Sequence, residues 1–104
     1  MAVINGAQVR KIIFACEAGM GSSALGVSQL RSKLNKAGLN LEVTHLPVNR
    51  LPADAQVVVA HSGLAARAKQ VAPGAVVIAF NSFLNAPEIA DLVAKIKAGK
   101  DITG

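Results

Sequence analysis

The sequence predicts an α/β fold, a doubly wound sheet of four parallel strands in the order 2-1-3-4 with three helices. Short runs of Val, Ile and Ala alternate with segments whose apolar residues recur three and four positions apart. Hydrophobic residues make up 52% of the sequence and aromatic residues only 3%, a composition typical of a buried parallel sheet covered by helices. The length of 104 residues suits one such domain.

The first half of the chain predicts a strand, a helix and a second strand. Residues 11–15 are predicted to form a buried strand, because the residues after Lys11 are apolar on both faces. A glycine-rich turn follows, and the next segment carries one apolar stripe up to Gly38, where a left-handed residue would close the helix. Residues 41–45 alternate between apolar and polar side chains, as an edge strand does. Pro47 and Pro52 then bracket a loop that replaces a helix.

The second half predicts two strands and two helices. Residues 57–60 and 75–79 are apolar strands, and residues 62–72 between them form an alanine-rich helix. The last helix has clear signals, because Asn85 can cap it and Pro87 fits its first turn. Right-handed crossovers between parallel neighbours then give the strand order 2-1-3-4.

Composition and charge disfavour several classes of function. Lys and Arg exceed Asp and Glu and give a net charge of +5, but the cations are dispersed and Trp and Tyr are absent, so we expect no nucleic acid partner. A single cysteine leaves no pair for a disulfide or a zinc site, and we expect no metal and no cofactor. Without a signal-peptide pattern or a long apolar run, we expect a cytoplasmic protein with one domain over residues 1–104, in which residues 1–9 and 98–104 are loose.

The candidate site follows the first predicted strand. In an open α/β sheet the ligand lies beyond the carboxyl ends of the strands, where the crossovers leave to opposite sides. The residues at that point are Cys16, Glu17, Ala18, Gly19, Met20, Gly21, Ser22 and Ser23. The glycines allow a tight turn with inward-pointing N–H groups, and the helix start adds free N–H groups and partial positive charge. This pattern predicts an anion-binding loop.

Cys16 is the candidate nucleophile of this loop. The N–H groups that would bind a phosphoryl group would also stabilise a thiolate and lower the pKa of the cysteine. The alternative is that Cys16 is simply a small buried residue. Ser22 and Ser23 are either helix caps or hydroxyl donors to the bound group. His61, at the carboxyl end of the third predicted strand, is either at the rim of the site, where it would form a hydrogen bond with the phosphorylated cysteine or with a docking protein, or only a polar strand end. We interpret His45 as structural.

Other anion-binding patterns fit less well. The chain has no Gly-Lys-Ser/Thr motif, and the acidic residue of a dinucleotide site is missing after the second predicted strand. Low-molecular-weight cysteine phosphatases and arsenate reductases share a cysteine loop between first strand and first helix, but they have arginine where this chain has Ser22. Their Asp-Pro acid is also absent. A phosphothiolate without such an acid would persist until an acceptor arrives, which favours a carrier.

Residues 15–24 resemble the phosphorylation loop of IIB domains of the phosphoenolpyruvate-dependent sugar phosphotransferase system, most of all the mannitol type. The resemblance covers roughly residues 10–97, and three further segments carry it, namely residues 30–39, 59–61 and 81–87. Glu17 stands where the family more often has Asp, and Ser82 interrupts an Asn-Phe pair.

The resemblance implies a phosphotransferase with a phosphocysteine intermediate. Cys16 would accept a phosphoryl group from a phosphohistidine of a IIA protein and donate it to a sugar or hexitol held by a membrane IIC permease. The amides of residues 17–23 would neutralise the phosphoryl charge without a metal. The chain would be either a separate subunit or a domain of a longer protein. Two alternatives stay open, a cysteine phosphatase or arsenate reductase and a regulatory domain with the IIB fold.

Overall fold

Four parallel strands form the central sheet of the protein. The computed structural model describes residues 3–16, 22–81 and 87–103 and, for Cys16 and residues 22–26, the backbone alone. The strands are β1 (Val3–Asn5), β2 (Lys11–Cys16), β3 (Glu42–Pro47), β4 (Val57–His61), β5 (Val76–Phe80) and β6 (Asp101–Thr103), and the α-helices are α1 (Ser22–Lys36), α2 (Ser62–Val71) and α3 (Pro87–Ala98). The sheet order β3-β2-β4-β5 confirms the predicted α/β class and the order 2-1-3-4.

Each face of the sheet is covered by its own apolar core. On one face Phe14 and Val59 are buried among side chains of α1 and α3. On the other face Ala15 and Ala60 are buried against α2 and the segment of residues 48–55. This burial on both faces explains why residues 12–15 of β2 and 57–60 of β4 are continuous apolar runs rather than alternating ones.

Gly38 closes α1 as the sequence predicts. Its φ is 77°, in the left-handed region that favours glycine. The N–H of Leu39 donates to the carbonyl oxygen of Leu34 at 2.9 Å, and the N–H of Gly38 donates to that of Asn35 at 3.1 Å. These are the two hydrogen bonds of a Schellman motif, which satisfies carbonyl groups at the end of the helix.

The boundaries of α3 also follow the sequence signals. Pro87 is its first residue, Glu88 lies in its first turn, and Lys95 and Lys97 lie in its last turn. Negative charge near the start and positive charge near the end are favourable with the helix dipole. The predicted cap, Asn85, lies outside the described residues. Among the helices in the described ranges, none is long and apolar enough to cross a membrane.

A two-stranded antiparallel ribbon, β1 with β6, joins the two ends of the described chain. The sequence predicts loose segments at residues 1–9 and 98–104. The strands found there are three residues long, which is too short to show a periodic pattern. The N–H of Gly6 donates to the carbonyl oxygen of Lys100 at 2.8 Å, and Ile102 of β6 is only 1% exposed. The ribbon is therefore part of the core packing around α3.

Candidate functional site

The carboxyl ends of the parallel strands form one edge of the sheet, and Cys16 lies at the centre of that edge. It is the last residue of β2, which pairs with β3 on one side and β4 on the other. Its backbone is in register with Pro47 of β3. On the other side, Ala15 is the last β2 residue in register, with Ala60. The next residues along these strands are Cys16 and His61, so the two predicted residues occupy adjacent strands, whose spacing is about 5 Å.

The helix after the cysteine begins at the same edge of the sheet. Because α1 connects the parallel strands β2 and β3, it must start where β2 ends. Its first residue is Ser22, and its first N–H groups have no acceptor within the helix and carry partial positive charge. The predicted loop residues Glu17, Ala18, Gly19, Met20 and Gly21 lie outside the described residues, and Ser22 and Ser23 are described by backbone alone. The anion-binding loop therefore stays a prediction.

His61 is exposed, and two contacts position its ring. Its Nδ1 accepts a hydrogen bond from the backbone N–H of Gly63 at 3.1 Å, which makes the side chain the cap of α2. Its ring also meets that of Phe80 edge-on, with ring centroids 5.9 Å apart and the ring planes at 90°. Phe80 in turn lies 6.2 Å from the ring of Phe14 in the adjacent core. The histidine side chain is therefore held between α2 and the end of β5.

Sequence reasoning missed Phe80 and Gly63 as neighbours of the histidine. The fourth strand was predicted to end at residue 79, one residue before Phe80, which the structure places in register with His61. The position of Gly63 two residues after His61 is the signal that could have identified it. A residue that caps a helix accepts a hydrogen bond from the backbone N–H two or three positions later. The predicted edge strand is also longer than expected, since β3 runs to Pro47, and His45 therefore lies within it rather than at its end.

The edge beside β3 carries positive charge. The turn Val48–Arg50 follows β3 directly, and Arg50 in that turn is exposed. Arg67 of α2 reaches the same turn, where its Nε donates to the side-chain oxygen of Asn49 at 2.9 Å. Two guanidinium groups therefore flank this side of the sheet and would attract an anionic group or an acidic surface. Within the described part of the chain, no group of three or more His, Cys, Asp or Glu residues could hold a metal ion.

The chain is similar to a family described as "PTS system, Lactose/Cellobiose specific IIB subunit", whose model matches residues 11–95. It is 52% identical over 91 residues to a mannitol-specific EIICB component of the PTS system of Geobacillus stearothermophilus, a match that covers 88% of this chain and 19% of that protein. The mannitol-specific EIICB component of Bacillus subtilis is 51% identical over 89 residues, covering 86% of this chain and 19% of the relative.

The name of a third relative includes one more component. The mannitol-specific EIICBA component of Pasteurella multocida is 48% identical over 92 residues, which cover 88% of this chain and 15% of that protein. The chain thus spans about a fifth or less of the length of these relatives.

Proposed function

The chain belongs to the IIB family of the sugar phosphotransferase system, and on this premise we propose that it is the phosphoryl carrier of a mannitol-type system. In this proposal Cys16 accepts a phosphoryl group from a phosphohistidine of a IIA protein. It then donates the group to mannitol or a similar hexitol bound by a membrane IIC permease. The position of Cys16 at the carboxyl end of the central strand β2, immediately before α1, is the observation that best supports this role.

Each transfer exchanges one bond of the phosphorus atom for another. In the first step the Cys16 thiolate forms an S–P bond while the N–P bond of the phosphohistidine breaks, and the donor imidazole keeps the electron pair. In the second step a hexitol hydroxyl oxygen forms an O–P bond, the S–P bond breaks to restore the thiolate, and the hydroxyl proton passes to a base or to water. Neither step changes an oxidation state, and neither consumes a cofactor.

The proposed phosphoryl cradle consists of the loop after the cysteine. The backbone N–H groups of residues 17–23 would donate to the phosphoryl oxygens, and the hydroxyl of Ser22 or Ser23 would add a further donor. The start of α1 supports this assignment, because the unpaired N–H groups of a helix N-terminus stabilise bound anions. Transfer requires mainly in-line positioning and charge neutralisation, which fixed amide groups supply without reorganisation.

The partners follow from the names of the relatives. The designations EIICB and EIICBA combine the IIC, IIB and, in one relative, IIA components in a single protein. We assign the same two protein partners to this chain, a IIA donor and a IIC permease, with the domain working on the cytoplasmic side of the membrane. The exposed Arg50 and the neighbouring Arg67 would favour a donor whose docking surface is acidic.

Reconstitution of the complete transfer tests the proposal. The chain is combined with phosphoenolpyruvate, the general phosphocarrier proteins, a IIA protein and vesicles that contain a mannitol permease. We expect mannitol phosphate to form with the natural sequence and not with Cys16→Ser, in which a poorly ionised hydroxyl replaces the thiolate. Equal activity of the Ser variant would contradict the assigned nucleophile. Transfer only in vesicles with a cellobiose permease would contradict the assigned sugar class.

A further inference from the structure

The hydrogen bond to Gly63 determines which nitrogen of His61 carries the proton. A ring nitrogen that accepts a hydrogen bond uses its lone pair and is therefore unprotonated. Because Nδ1 accepts from the N–H of Gly63 at 3.1 Å, the neutral ring carries its proton on Nε2. The two nitrogens of an imidazole diverge, so the Nε2–H points away from the Gly63 backbone. His61 thus presents a donor with a defined direction.

The fold also restricts rotation of this ring. The hydrogen bond attaches one side of the ring to the first turn of α2, and Phe80 meets the ring edge-on from the neighbouring strand β5. Alternation along β4 puts His61 on the same face of the sheet as Val57 and Val59, which α1 and α3 cover. The histidine therefore lies on the face of the sheet where the helix that follows Cys16 begins.

Resting on the proposed phosphocysteine function, we propose that the Nε2–H of His61 donates a hydrogen bond to the phosphoryl group on Cys16. The two residues occupy adjacent strands at the carboxyl edge, one position beyond the pair Ala15 and Ala60. In phosphoryl transfer the negative charge is spread over three oxygens of the group, and a fixed donor there lowers the barrier. The contacts with Gly63 and Phe80 hold the ring in place, so this donor needs no rearrangement when the phosphoryl group arrives.

Two substitutions at one position separate this role from helix capping. In His61→Asn the side-chain oxygen can replace Nδ1 as acceptor for the Gly63 N–H, since Asn is a favoured cap, but nothing replaces Nε2–H. In His61→Gln the longer amide can bring an N–H group to the place of Nε2 while the cap is weakened. We expect Asn to slow transfer from phosphorylated IIA to Cys16 roughly 10- to 100-fold, with the melting temperature lowered only by loss of the ring contact with Phe80. We expect Gln to restore part of the rate at a lower melting temperature.

His45→Asn is the matched control, because it makes the same exchange at an exposed histidine in the middle of β3. We expect neither its transfer rate nor its stability to change. The proposal would be overturned if His61→Asn transferred the phosphoryl group at the rate of the natural protein. It would also be overturned if His61→Gln were no faster than His61→Asn. Absence of any phosphoryl group on the natural protein would instead refute the proposed function itself.

The tautomer can also be observed directly. Long-range proton–nitrogen correlation spectra of the protein labelled with nitrogen-15 distinguish a protonated from an unprotonated ring nitrogen. In the neutral ring of His61 we expect an unprotonated Nδ1 and a protonated Nε2, with the Nε2 signal shifting when Cys16 is phosphorylated. A proton on Nδ1 in the neutral ring, or ring signals that do not respond to phosphorylation, would overturn the assignment.

Discussion

Replacing Gly6 with alanine tests the packing of the terminal ribbon against α3. A Cβ at this position would lie 2.5 Å from the carbonyl oxygen of Lys95, 2.8 Å from the Cα of Ile96 and 3.0 Å from the carbonyl oxygen of Lys100. All of these neighbours are backbone atoms, so no side chain can rotate out of the way. The segment that contains Gly6 must therefore move away from the end of α3.

The expected cost follows from the contacts that this movement disturbs. Overpacking of a close contact costs about 1–3 kcal/mol. The movement also weakens the hydrogen bond from the Gly6 N–H to Lys100, 2.8 Å long, and the bond from the Asn5 side-chain amide to the carbonyl oxygen of Gly99, 2.9 Å long. Each bond contributes about 1 kcal/mol. Because both bonds can lengthen without breaking, we expect the free energy of unfolding to fall by about 2–4 kcal/mol.

Urea unfolding followed by circular dichroism measures this change, since the chain has no Trp or Tyr for fluorescence. A loss of this size would lower the melting temperature by roughly 10–20 °C in a domain of this length. Gly74→Ala is the control, because a Cβ at Gly74 meets no other atom within 4 Å. We expect that variant to stay within about 0.5 kcal/mol of the natural protein. A Gly6→Ala variant whose free energy of unfolding also stays within about 0.5 kcal/mol of that of the natural protein would refute the packing argument.

Three further substitutions test separate parts of the fold. Gly38→Ala should lower the free energy of unfolding by about 1–2 kcal/mol in urea titrations, because φ is 77° although a Cβ would meet no atom within 4 Å; an unchanged midpoint would contradict the left-handed C-cap. Gln56→Ala removes the side-chain oxygen that accepts from the Arg10 N–H at 2.8 Å, so hydrogen exchange at that amide should accelerate, and unchanged exchange would contradict this contact. Leu92 is 1% exposed, so Leu92→Ala leaves a cavity in the core and should lower the free energy of unfolding by about 2–5 kcal/mol, measured by calorimetry. A loss below about 1 kcal/mol would contradict the place of Leu92 in the core.

The parallel sheet and its helices were predictable because their signals are local and repeated. Residues 12–15 of β2 and 57–60 of β4 are buried and apolar without interruption, and the C-cap at Gly38 has a conformation that glycine favours. Strand order also followed, since parallel strands joined by right-handed crossovers have few arrangements. Predicting these features requires no knowledge of contacts between distant parts of the chain.

The terminal ribbon could not be predicted for the opposite reason. Its register joins Val3 with Thr103, residues at opposite ends of the sequence, and each strand is too short for a period-two pattern. The carbonyl oxygen of Lys100 accepts a hydrogen bond from the Gly6 N–H. This contact forms only when the end of α3 lies beside the segment that contains Gly6. Such pairing depends on tertiary packing rather than on local preference.

The candidate site was predictable in position but not in detail. The place of Cys16 at the carboxyl edge follows from strand order alone, and so does the adjacent position of His61 on β4. The protonated nitrogen of that histidine does not follow, because it depends on the hydrogen bond to Gly63 and on the ring of Phe80. Sequence spacing carries no information about the direction of a ring nitrogen.

The location of the transferred phosphoryl group tests the central proposal most directly. The protein is incubated with phosphoenolpyruvate, the general phosphocarrier proteins and a IIA protein, and intact mass is followed by peptide mapping under conditions that preserve phosphocysteine. We predict one added phosphoryl group, carried by the peptide that contains Cys16 and absent from Cys16→Ser. A phosphoryl group on His45 or His61 in the natural protein, or none from any IIA protein, would contradict the account.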